Sequence, residues 1–264
     1  MKTEIEKLTE ILRDSNNIAF FGGAGVSTES NIPDFRSSNG LWNERLGINI
    51  TPEQLVSRTY FTRYPEEFFQ FYKSKLVYPH AKPNAAHIAL AKLEEMGKLK
   101  AVVTQNIDGL HQAAGSKNVY ELHGSVLRNY CMKCHSFYDE KFILASKGIP
   151  TCPECGGKVK PDVVLYEESL DSGIINGAVR AIAEADTLII GGTSLVVYPA
   201  AGLIDYFNGS NLVLINKSTT SADSRADLVI HDAIGKVLGE AVDNLIRKIN
   251  KTQECFLEPY SSVS

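Results

Sequence analysis

Four of the five cysteines in this 264-residue chain fall into two close pairs. Two residues separate Cys131 from Cys134 and Cys152 from Cys155, and seventeen residues lie between the pairs. Each Cys-x-x-Cys turn can present two thiolates to one side of a metal ion, and this separation is typical of zinc sites. Four thiolates complete the tetrahedral coordination of zinc and leave no position for a reactive water. We predict one structural zinc ion bound by these four cysteines, whereas Cys255 is isolated and receives no role.

A zinc ribbon that binds nucleic acid is the alternative for the cysteine segment. Residues 124–160 contain six Lys or Arg and three Asp or Glu. A zinc ion with four thiolates carries a charge of about −2, which cancels most of that excess. The whole chain is acidic, with 27 Lys and Arg against 31 Asp and Glu and a net charge of −4. Because nucleic-acid binders normally carry a basic surface, we expect no direct binding to nucleic acid.

A glycine-rich turn follows the first buried apolar run. Residues 18–21 read Ile-Ala-Phe-Phe, and residues 22–28 read Gly-Gly-Ala-Gly-Val-Ser-Thr. Glycines at a strand end let the backbone approach a pyrophosphate, whose charge the N–H groups of a following helix can bind. The usual dinucleotide fingerprint has a third glycine where Thr28 stands, and no acidic residue clearly marks the ribose end. A plain turn between strand and helix is therefore the alternative.

Polar side chains follow two other apolar runs. Asn106 and Asp108 come after the run 99–104, at the kind of position where open α/β sheets bind their ligands. The alternative is that one of them caps the start of a helix. His123 ends a further short apolar run beside Gly124. A single histidine in such a place is more often structural than catalytic.

Two later strand ends repeat this pattern. Residues 191–194 read Gly-Gly-Thr-Ser, so that two hydroxyls able to bind phosphate follow the glycines. The run 212–215 ends in Asn216 and Lys217, an amide and a cation. Each of these features is weak by itself. Together, the four strand ends marked by Asn106, His123, Thr193 and Asn216 predict a nucleotide in a crevice of the sheet.

Hydrophobic periodicity predicts an α/β fold. Apolar runs of strand length alternate along the chain with amphipathic stretches of helical length. This alternation indicates a Rossmann-like parallel sheet with helices on both faces. The predicted strands are 18–21, 99–104, 163–166, 187–190 and 212–215. The predicted helices are 3–13, 84–96 followed by Gly97 as a cap, 171–185 and 236–251.

Two insertions interrupt the predicted sheet. Residues 37–85 are rich in aromatic side chains and contain no clear strand, so we expect a small helical module. Residues 124–161 form the zinc-binding module and have too few large apolar side chains to build a core of their own. The Rossmann-like domain then consists of residues 1–36, 86–123 and 162–252, followed by a polar tail, 253–264.

Composition and N-terminal sequence predict a cytoplasmic protein without membrane association. Hydrophobic residues make up 44% and charged residues 22% of the chain, as in ordinary globular proteins. The first ten residues mix acids and bases where a signal peptide needs an apolar run. Paired cysteines that bind metal also fit a reducing compartment. The sequence leaves the oligomeric state undetermined.

The motifs together resemble those of the sirtuins, which are NAD-dependent protein-lysine deacylases. The resemblance covers about residues 18–245. The chain is similar to compact family members of the bacterial type. The segments that carry it are residues 23–36, 104–108, His123-Gly124, the two cysteine pairs, 192–194 and Asn216-Lys217, in the order found in that family. The resemblance implies NAD as a co-substrate, one structural zinc ion, and acyl-lysine peptides or proteins as partners.

The resemblance also implies a role for the strand-end residues. In sirtuins the acyl oxygen of an acyl-lysine attacks the nicotinamide ribose and displaces nicotinamide, and water later releases lysine and O-acyl-ADP-ribose. His123 matches the general base and Asn106 the residue that positions ribose and water. Ile107 and Asp108 match contacts with the nicotinamide amide. Phe35 is similar to the residue that shields the reactive ribose carbon.

The family's cofactor contacts fall on a defined set of positions. Arg36 would lie beside the phosphates and ribose, and Ile234 would contact adenine. The family places the adenine ribose near Asn216, which accounts for the missing acidic residue. The full set implied is Gly23, Ala24, Gly25, Thr28, Phe35, Arg36, Gln105, Asn106, Ile107, Asp108, His123, Gly192, Thr193, Ser194, Asn216, Lys217 and Ile234.

The resemblance places the acyl-lysine peptide as an added strand between residues 163–166 and 196–198. The contacts implied are Val163, Leu165, Tyr166 and Val197. Residues 160–168 read Lys-Pro-Asp-Val-Val-Leu-Tyr-Glu-Glu, whereas the family usually has an arginine and a Gly-Glu ending. Backbone pairing survives that difference, whereas the side chains beside the acyl-lysine differ from those usual in the family.

The choice of acyl group depends on residues of the helical module. Members that remove succinyl or malonyl groups have Tyr-x-x-Arg, and this chain has Tyr72 but Lys75. A lysine offers a carboxylate a point charge rather than a two-pronged contact, so we expect deacetylation to dominate. The alternative is that both side chains pack or are solvated.

ADP-ribosyl transfer and an inactive reader of NAD or ADP-ribose are the alternative functions.

Overall fold

The larger lobe is built on a six-stranded parallel sheet. The structure is a computed structural model and describes residues 2–35 and 50–257. Arg36 and residues 37–49 of the predicted helical module lie outside the described residues. The strands of the large sheet are β1 (Ile18–Gly22), β2 (Leu99–Thr104), β3 (Val119–Glu121), β7 (Thr187–Gly191), β8 (Asn211–Ile215) and β9 (Leu228–Ile230). Three further strands form a small sheet: β4 (Gly124–Cys131), β5 (Phe137–Tyr138) and β6 (Val159–Val163).

The strand order of the large sheet is β3-β2-β1-β7-β8-β9. The chain runs outward from β1 to β3 and then returns to the other side of β1 at β7. Such a reversal of direction leaves a crevice at the carboxyl ends of the two central strands, where α/β sheets bind ligands. Gly22 of β1 lies opposite Gly191 of β7, so both glycine-rich turns open into this crevice.

Helices cover both faces of the sheet, as predicted. The α-helices are α1 (Glu4–Asp14), α2 (Pro52–Leu55), α3 (Arg58–Arg63), α4 (Pro65–Lys75), α5 (Ala85–Glu95), α6 (Leu110–Ala113), α7 (Glu140–Ala145), α8 (Ser172–Ala183) and α9 (Ile234–Leu257). Ile18 and Phe20 point into one core, beneath α1, α5 and α9. Ala19 and Phe21 point into the other, beneath α8. This alternation along β1 is the two-residue period of a strand buried on both faces.

Side-chain caps explain where three predicted helices begin. Thr3 forms a capping box with Glu6 at the start of α1. Asn84 caps α5 by accepting a hydrogen bond from the N–H of Ala86, and Asp171 caps α8 through the N–H of Ile174. Each cap satisfies an N–H group that has no partner within its helix. The predicted helix boundaries are therefore confirmed to within one or two residues for α1, α5 and α8.

Several predicted elements differ from the structure. Residues 163–166 are wrong as a strand of the parallel sheet, because β6 ends at Val163 and pairs antiparallel with β4. An apolar run shows that a segment is buried but does not identify its neighbour. Strands β3 and β9 have three residues each, too few for a periodic signal. The last helix runs from Ile234 to Leu257, so the backbone remains helical past the predicted start of the tail.

The two predicted insertions form one small lobe. The three-stranded sheet β5-β4-β6 belongs to the zinc-binding module, and α2, α3 and α4 belong to the helical module. One buried apolar cluster joins them: Leu55, Tyr60, Phe61, Phe68, Phe69, Tyr72, Val77, Val126, Cys131, Ile143, Cys152, Val159, Val163 and Leu165. The zinc-binding segment therefore lacks a core of its own, as predicted, and completes one with the helical module.

The small lobe is attached to the large sheet by a charge network in which Glu121 is buried and Arg128 and Asp162 are partly exposed. Arg128 of β4 donates to Glu121 of β3 at 2.6 Å and to Asp162 of β6 at 2.8 Å. Glu121 has a side chain that is only 8% exposed, so its charge requires this partner. The guanidinium therefore fixes both β4 and β6 relative to the edge of the large sheet.

The four cysteines of the two pairs converge at one end of the small sheet. Their Sγ atoms all lie within 4.8 Å of one another. The Sγ atoms of Cys131 and Cys155 are 3.4 Å apart and those of Cys134 and Cys152 are 3.6 Å apart. Thiolates about 2.3 Å from a tetrahedral zinc lie about 3.8 Å from each other, so this tetrad fits the ion.

The two glycine-rich turns touch through their backbones. The N–H of Gly25 donates to the carbonyl of Gly192 at 2.8 Å. Gly192 has φ +59°, and a Cβ at that position would collide with the backbone nitrogen of Val26. Both the conformation and the contact therefore require glycine.

Of the described helices, none is both long and apolar enough to cross a bilayer.

Substituting Gly192 tests this backbone contact. Gly192→Ala adds a clash to an unfavourable φ, so we expect a loss of more than about 2 kcal/mol in the free energy of unfolding. Gly97→Ala is the matched control, because Gly97 has φ +73° with no atom near its would-be Cβ. The control should lose only about 1–2 kcal/mol in denaturant unfolding. Equal losses in the two variants would contradict the role of the contact.

Removing one thiolate tests the structural zinc. Cys152→Ser leaves three sulfur ligands and opens the shared core, so we expect loss of bound zinc and unfolding or aggregation. Cys255→Ser is the control, because Cys255 lies outside the tetrad. Zinc content by mass spectrometry and thermal unfolding check both variants. A soluble Cys152→Ser protein with the wild-type melting temperature would show that the metal is dispensable.

Candidate active site

Gln105 connects the carboxyl ends of three strands. It follows β2, and its N–H donates to the carbonyl of Gly22 at the end of β1. Its side-chain Nε2 donates to Oγ1 of Thr193, which follows β7, at 3.1 Å. Thr193 is only 7% exposed, so this hydrogen bond also satisfies a buried hydroxyl. The predicted positions around β1, β2 and β7 thus share the floor of one crevice.

Ser27 joins the two polar residues that follow β2. Its hydroxyl donates to Oδ2 of Asp108 at 2.6 Å and accepts from Nδ2 of Asn106 at 3.1 Å. Asn106 and Asp108 belong to the turn after β2, whereas Ser27 belongs to the glycine-rich turn after β1 and is 1% exposed. Sequence reasoning did not select Ser27 as a site residue. Its one signal is that it is a small hydroxyl residue within the glycine-rich turn.

Asp108 has two functions in the local structure. One carboxylate oxygen accepts from Ser27, while the other accepts from the N–H of Leu110, the first residue of α6, at 2.9 Å. The N-cap residue of α6 is Gly109, and the Asp108 side chain, one position earlier, satisfies the first N–H group of the helix. This pairing directs the Asp108 carboxylate and, through Ser27, orients the Asn106 amide.

His123 is held in one tautomer. Its Nδ1 lies 2.9 Å from the carbonyl oxygen of Gln105. Because a carbonyl can only accept, Nδ1 carries the proton and Nε2 retains a lone pair. Burial lowers the pKa of His123 below its ordinary value, and the hydrogen bond to Gln105 offsets part of that effect. The imidazole is therefore neutral near pH 7 and can accept a proton at Nε2.

Backbone N–H groups at the two glycine turns can bind an anion. The N–H groups of Ala24, Thr193 and Ser194 have no acceptor among the described residues. A Cβ on Gly23 would come within 2.9 Å of the Thr193 Cβ, so a side chain there would fill the space between the turns. Unpaired N–H groups beside a surface without side chains suit a pyrophosphate. The residues present therefore fit a dinucleotide.

Thr28 ends the glycine-rich turn, and Phe35 follows it seven residues later in the chain. The hydroxyl of Thr28 donates to the carbonyl of Gly25 at 2.9 Å, which closes the glycine-rich turn on itself. Phe35 is half-buried at the end of the first described range. Arg36, which the resemblance places next to it, lies outside the described residues. The structure brings Thr28 to the crevice and does not test Arg36.

The end of β8 forms a second part of the crevice. The side-chain amide of Asn216 donates to the main-chain carbonyl of Ser218. The main-chain carbonyl oxygen of Asn216 lies 2.9 Å from Nδ1 of His231. Lys217 is exposed beside it. Ile234, in contrast, is 3% exposed and belongs to the hydrophobic core beneath Gly191. The structure therefore places Asn216 and Lys217 at the strand end, with the Ile234 side chain below it.

Three predicted substrate contacts have side chains in the small-lobe core. Tyr72, Val163 and Leu165 are 1%, 7% and 3% exposed. They pack together in that core, and the Tyr72 hydroxyl has no hydrogen-bond partner within the described residues. Packing, the alternative open for Tyr72, is what the structure shows. Lys75 lies one turn further along α4 and is half-buried.

The other predicted peptide contacts lie at the surface. Tyr166 is 38% exposed and Val197 is half-buried. Their neighbours Val196 and Tyr198 are 55% and 73% exposed, which is unusual for such side chains. Residues 164–166 and 196–198 therefore present backbone and apolar surface, whereas Val163 and Leu165 can contribute only backbone.

A buried histidine pair supports the crevice from below. His87 and His111 have ring centroids 4.8 Å apart and are 0% and 1% exposed. Burial lowers the pKa of His87 to about 4 and that of His111 to about 3, so both are neutral at pH 7. The N–H of Asn84 donates to Nδ1 of His87 at 3.2 Å. Sequence reasoning missed this pair because the two histidines lie on different helices, α5 and α6.

Comparisons with known proteins agree with this geometry. A sequence model of the Sir2 family matches residues 23–199. An NAD-dependent protein deacetylase of Clostridium perfringens is 76% identical over 92% of this chain and all of its own length. A structure from work on the mechanism and regulation of Sir2 enzymes has a TM-score of 0.84 and 41% identity, covering 94% of this chain and all of that one.

One solved structure similar to this chain contains ligands in the matching fold. It is a complex of Sir2 with a p53 peptide and NAD⁺, with a TM-score of 0.78 and 36% identity, covering 96% of this chain and 99% of that one. The range that the family model matches contains residues 23–28 and 191–194, Asn106, Asp108, His123 and the four cysteines. By sequence and fold, this chain belongs to the Sir2 family.

Proposed function

We propose that His123, Asn106 and Asp108 carry out the chemistry of an NAD-dependent removal of acetyl groups from protein lysines. The chain itself is an NAD-dependent protein deacetylase of the Sir2 family, as its 76% identity to a deacetylase of that name indicates. The products are nicotinamide, O-acyl-ADP-ribose and free lysine. The roles of the individual residues are our proposal.

The observation that carries the proposal is the hydrogen bond between Nδ1 of His123 and the carbonyl of Gln105. It leaves Nε2 unprotonated and directs it away from Gln105. A neutral imidazole accepts a proton efficiently near neutral pH. His123 is then the general base that takes a proton from a ribose hydroxyl. An inactive reader of the nucleotide would have no need of such a base.

Different crevice residues bind different parts of NAD. NAD supplies the ribose carbon from which nicotinamide leaves. The N–H groups of Ala24, Thr193 and Ser194 bind the phosphates, and Asn216 and Lys217 contact the adenosine half. Asp108, which Ser27 orients, and the backbone of Ile107 contact the nicotinamide amide. Asn106, fixed by the same serine, positions the ribose and a water.

The peptide substrate adds as a strand between residues 163–166 and 196–198. The carbonyl of Val164 has no hydrogen-bond partner among the described residues, and the exposed side chains of Val196 and Tyr198 lie along the other wall. Pairing through main-chain groups fits acyl-lysine peptides of varied sequence. The N–H of Val164 donates to the carbonyl of His123, so this wall adjoins the proposed base.

Acetyl is the preferred acyl group. Tyr72 is buried among aromatic side chains and stacks on Phe68, so its hydroxyl is not offered to a carboxylate at the surface. Lys75 can supply one positive charge without the paired donors of an arginine. Both features favour a small neutral acyl group over succinyl or malonyl.

The cellular setting follows from the zinc site. Four thiolates that bind zinc persist in a reducing compartment, which favours the cytoplasm. The partners we propose are acetylated proteins, without direct contact with nucleic acid or membrane. The acidic net charge of −4 supports the first of these exclusions.

Substituting His123 tests the proposed base. His123→Ala should reduce turnover of an acetyl-lysine peptide at least about 100-fold while the fold and zinc content are retained. His80→Ala, at an exposed histidine, is the control. Release of nicotinamide and free lysine is measured by chromatography. Turnover within tenfold of the wild type would refute the role.

The pH profile provides a separate test of His123. Because burial lowers its pKa, kcat/KM should fall only on the acidic side of pH 6.5, as the imidazole gains a proton, and remain level from there to pH 8. Deacetylation at saturating NAD across pH 5–8 checks this. An inflection above pH 7 would contradict a base with a lowered pKa.

Paired peptides test the choice of acyl group. We expect kcat/KM on an acetyl-lysine peptide to exceed that on the matching succinyl peptide by about tenfold or more, because Lys75 alone replaces a bidentate contact. Lys75→Arg should narrow the ratio. An equal or higher kcat/KM on the succinyl peptide in the wild type would overturn the preference.

A further inference from the structure

Glu167 has a backbone conformation that favours glycine. It lies in a turn closed by the hydrogen bond from the N–H of Glu168 to the carbonyl of Leu165. Its φ is +74°, at the third position of the turn, where a type II turn normally has glycine. A side chain with this φ persists only where surrounding contacts compensate for the strain. The contacts of Glu167 therefore need an explanation.

The Glu167 carboxylate reaches the start of α3 in the helical module. Its Oε2 accepts from the N–H of Thr59 at 2.9 Å and from the Thr59 hydroxyl at 2.7 Å. Thr59 is the second residue of α3, so its N–H has no acceptor within that helix. The hydrogen bond from the Thr59 hydroxyl, with that from its N–H, holds the pKa of Glu167 below its ordinary value. The carboxylate is thus charged and engaged by two donors at neutral pH.

Backbone hydrogen bonds join the same two segments. The N–H of Tyr166 donates to the carbonyl of Val56, and the N–H of Arg58 donates to the carbonyl of Tyr166, both at 3.0 Å. The turn is therefore attached to the helical module along one side. On the described part of the chain, the N–H and carbonyl of Glu167 and the carbonyl of Val164 have no partner.

The other end of the turn is fixed within the small lobe. Oε2 of Glu168 accepts from the N–H of Leu165 at 3.0 Å and from Nζ of Lys160 at 3.1 Å. Lys160 also donates to the carbonyl of Val163 at 2.9 Å. Lys160 and Glu168 thus set the shape of the turn, while Glu167 sets its position relative to α3.

We propose that Glu167 is a positioning residue for the peptide substrate, whose carboxylate fastens turn 165–168 to the start of α3 so that the unpaired main-chain groups stand in register for an added strand. This inference rests on the proposed function, because it concerns the wall along which the acetyl-lysine peptide pairs. Its consequence is that affinity for the peptide depends on a contact outside the NAD crevice.

Three variants separate the carboxylate contact from general stability. Glu167→Ala removes the acceptor, Glu167→Gln retains an oxygen that can accept from Thr59, and Thr59→Val removes the hydroxyl donor. Glu66→Ala is the matched control, because Glu66 is an exposed acid in the first turn of α4. Each is assayed for the KM of an acetyl-lysine peptide, the KM of NAD and kcat. Hydrogen exchange at the Thr59 amide reports the contact without any turnover.

The expected result is a change in peptide KM alone. Glu167→Ala should raise the peptide KM about tenfold, as for loss of a hydrogen bond to a charged group, with less than about a threefold change in kcat and in the KM of NAD. Glu167→Gln should restore most of the affinity. Adding Thr59→Val to Glu167→Ala should raise the peptide KM no further, and exchange at Thr59 should accelerate in Glu167→Ala.

Two failures can be told apart. A wild-type protein that releases no lysine from any acetyl peptide would refute the proposed function. A wild-type protein that deacetylates the peptide, together with a Glu167→Ala variant whose peptide KM is unchanged, would refute only the positioning role. A fall in kcat with a parallel rise in both KM values would also refute it, because that pattern indicates general destabilisation.

Discussion

The backbone hydrogen bond between the N–H of Gly25 and the carbonyl of Gly192 brings the ends of β1 and β7 into direct contact. No side chain fits between these turns, so their N–H groups form one surface instead of two. Gln105 adds the end of β2 to that surface through Gly22 and Thr193. The groups that we assign to the phosphates and to nicotinamide depend on this close approach, because they are mounted on these three strand ends. His123 instead follows β3, and Asn216 and Lys217 follow β8.

The site is also defined by which groups are charged. His123 is neutral because burial lowers its pKa, and the buried pair His87 and His111 is neutral for the same reason. Asp108 is directed by Ser27 and by the N–H of Leu110. His123 can therefore accept a proton at Nε2, while both oxygens of the Asp108 carboxylate accept hydrogen bonds from other groups.

The small lobe connects the proposed catalytic residue His123 with the proposed peptide-binding wall. Its core combines aromatic side chains of α3 and α4 with residues of the zinc-binding segment, so zinc stabilises both. Arg128 attaches this lobe to β3, directly before His123. The turn that follows β6 then lies between the helical module and the proposed base. The helical module thus supports one wall of the proposed substrate site through its hydrogen bonds to Tyr166.

Much of this protein can be predicted from local sequence. The cysteine spacing specifies a tetrahedral metal site, apolar runs such as 18–21 specify strands of a sheet covered on both faces, and Thr3, Asn84 and Asp171 mark helix starts. Glycine turns and polar strand ends indicate a nucleotide crevice. These features have a fixed period or spacing because covalent geometry sets the distances between neighbours.

Only the tertiary structure decided the rest. Ser27, His87 and His111 acquire their roles from residues distant in sequence, and Tyr72, Val163 and Leu165 are buried by a core that two separate insertions build together. The run 163–166 shows burial in the sequence, yet its partner is β4 for one residue and the helical module for another. Local sequence determines which elements form, whereas packing between distant segments determines which side chains face a ligand. Residues that meet across a lobe are separated by no regular number of positions in the sequence, so no periodic pattern predicts their contact.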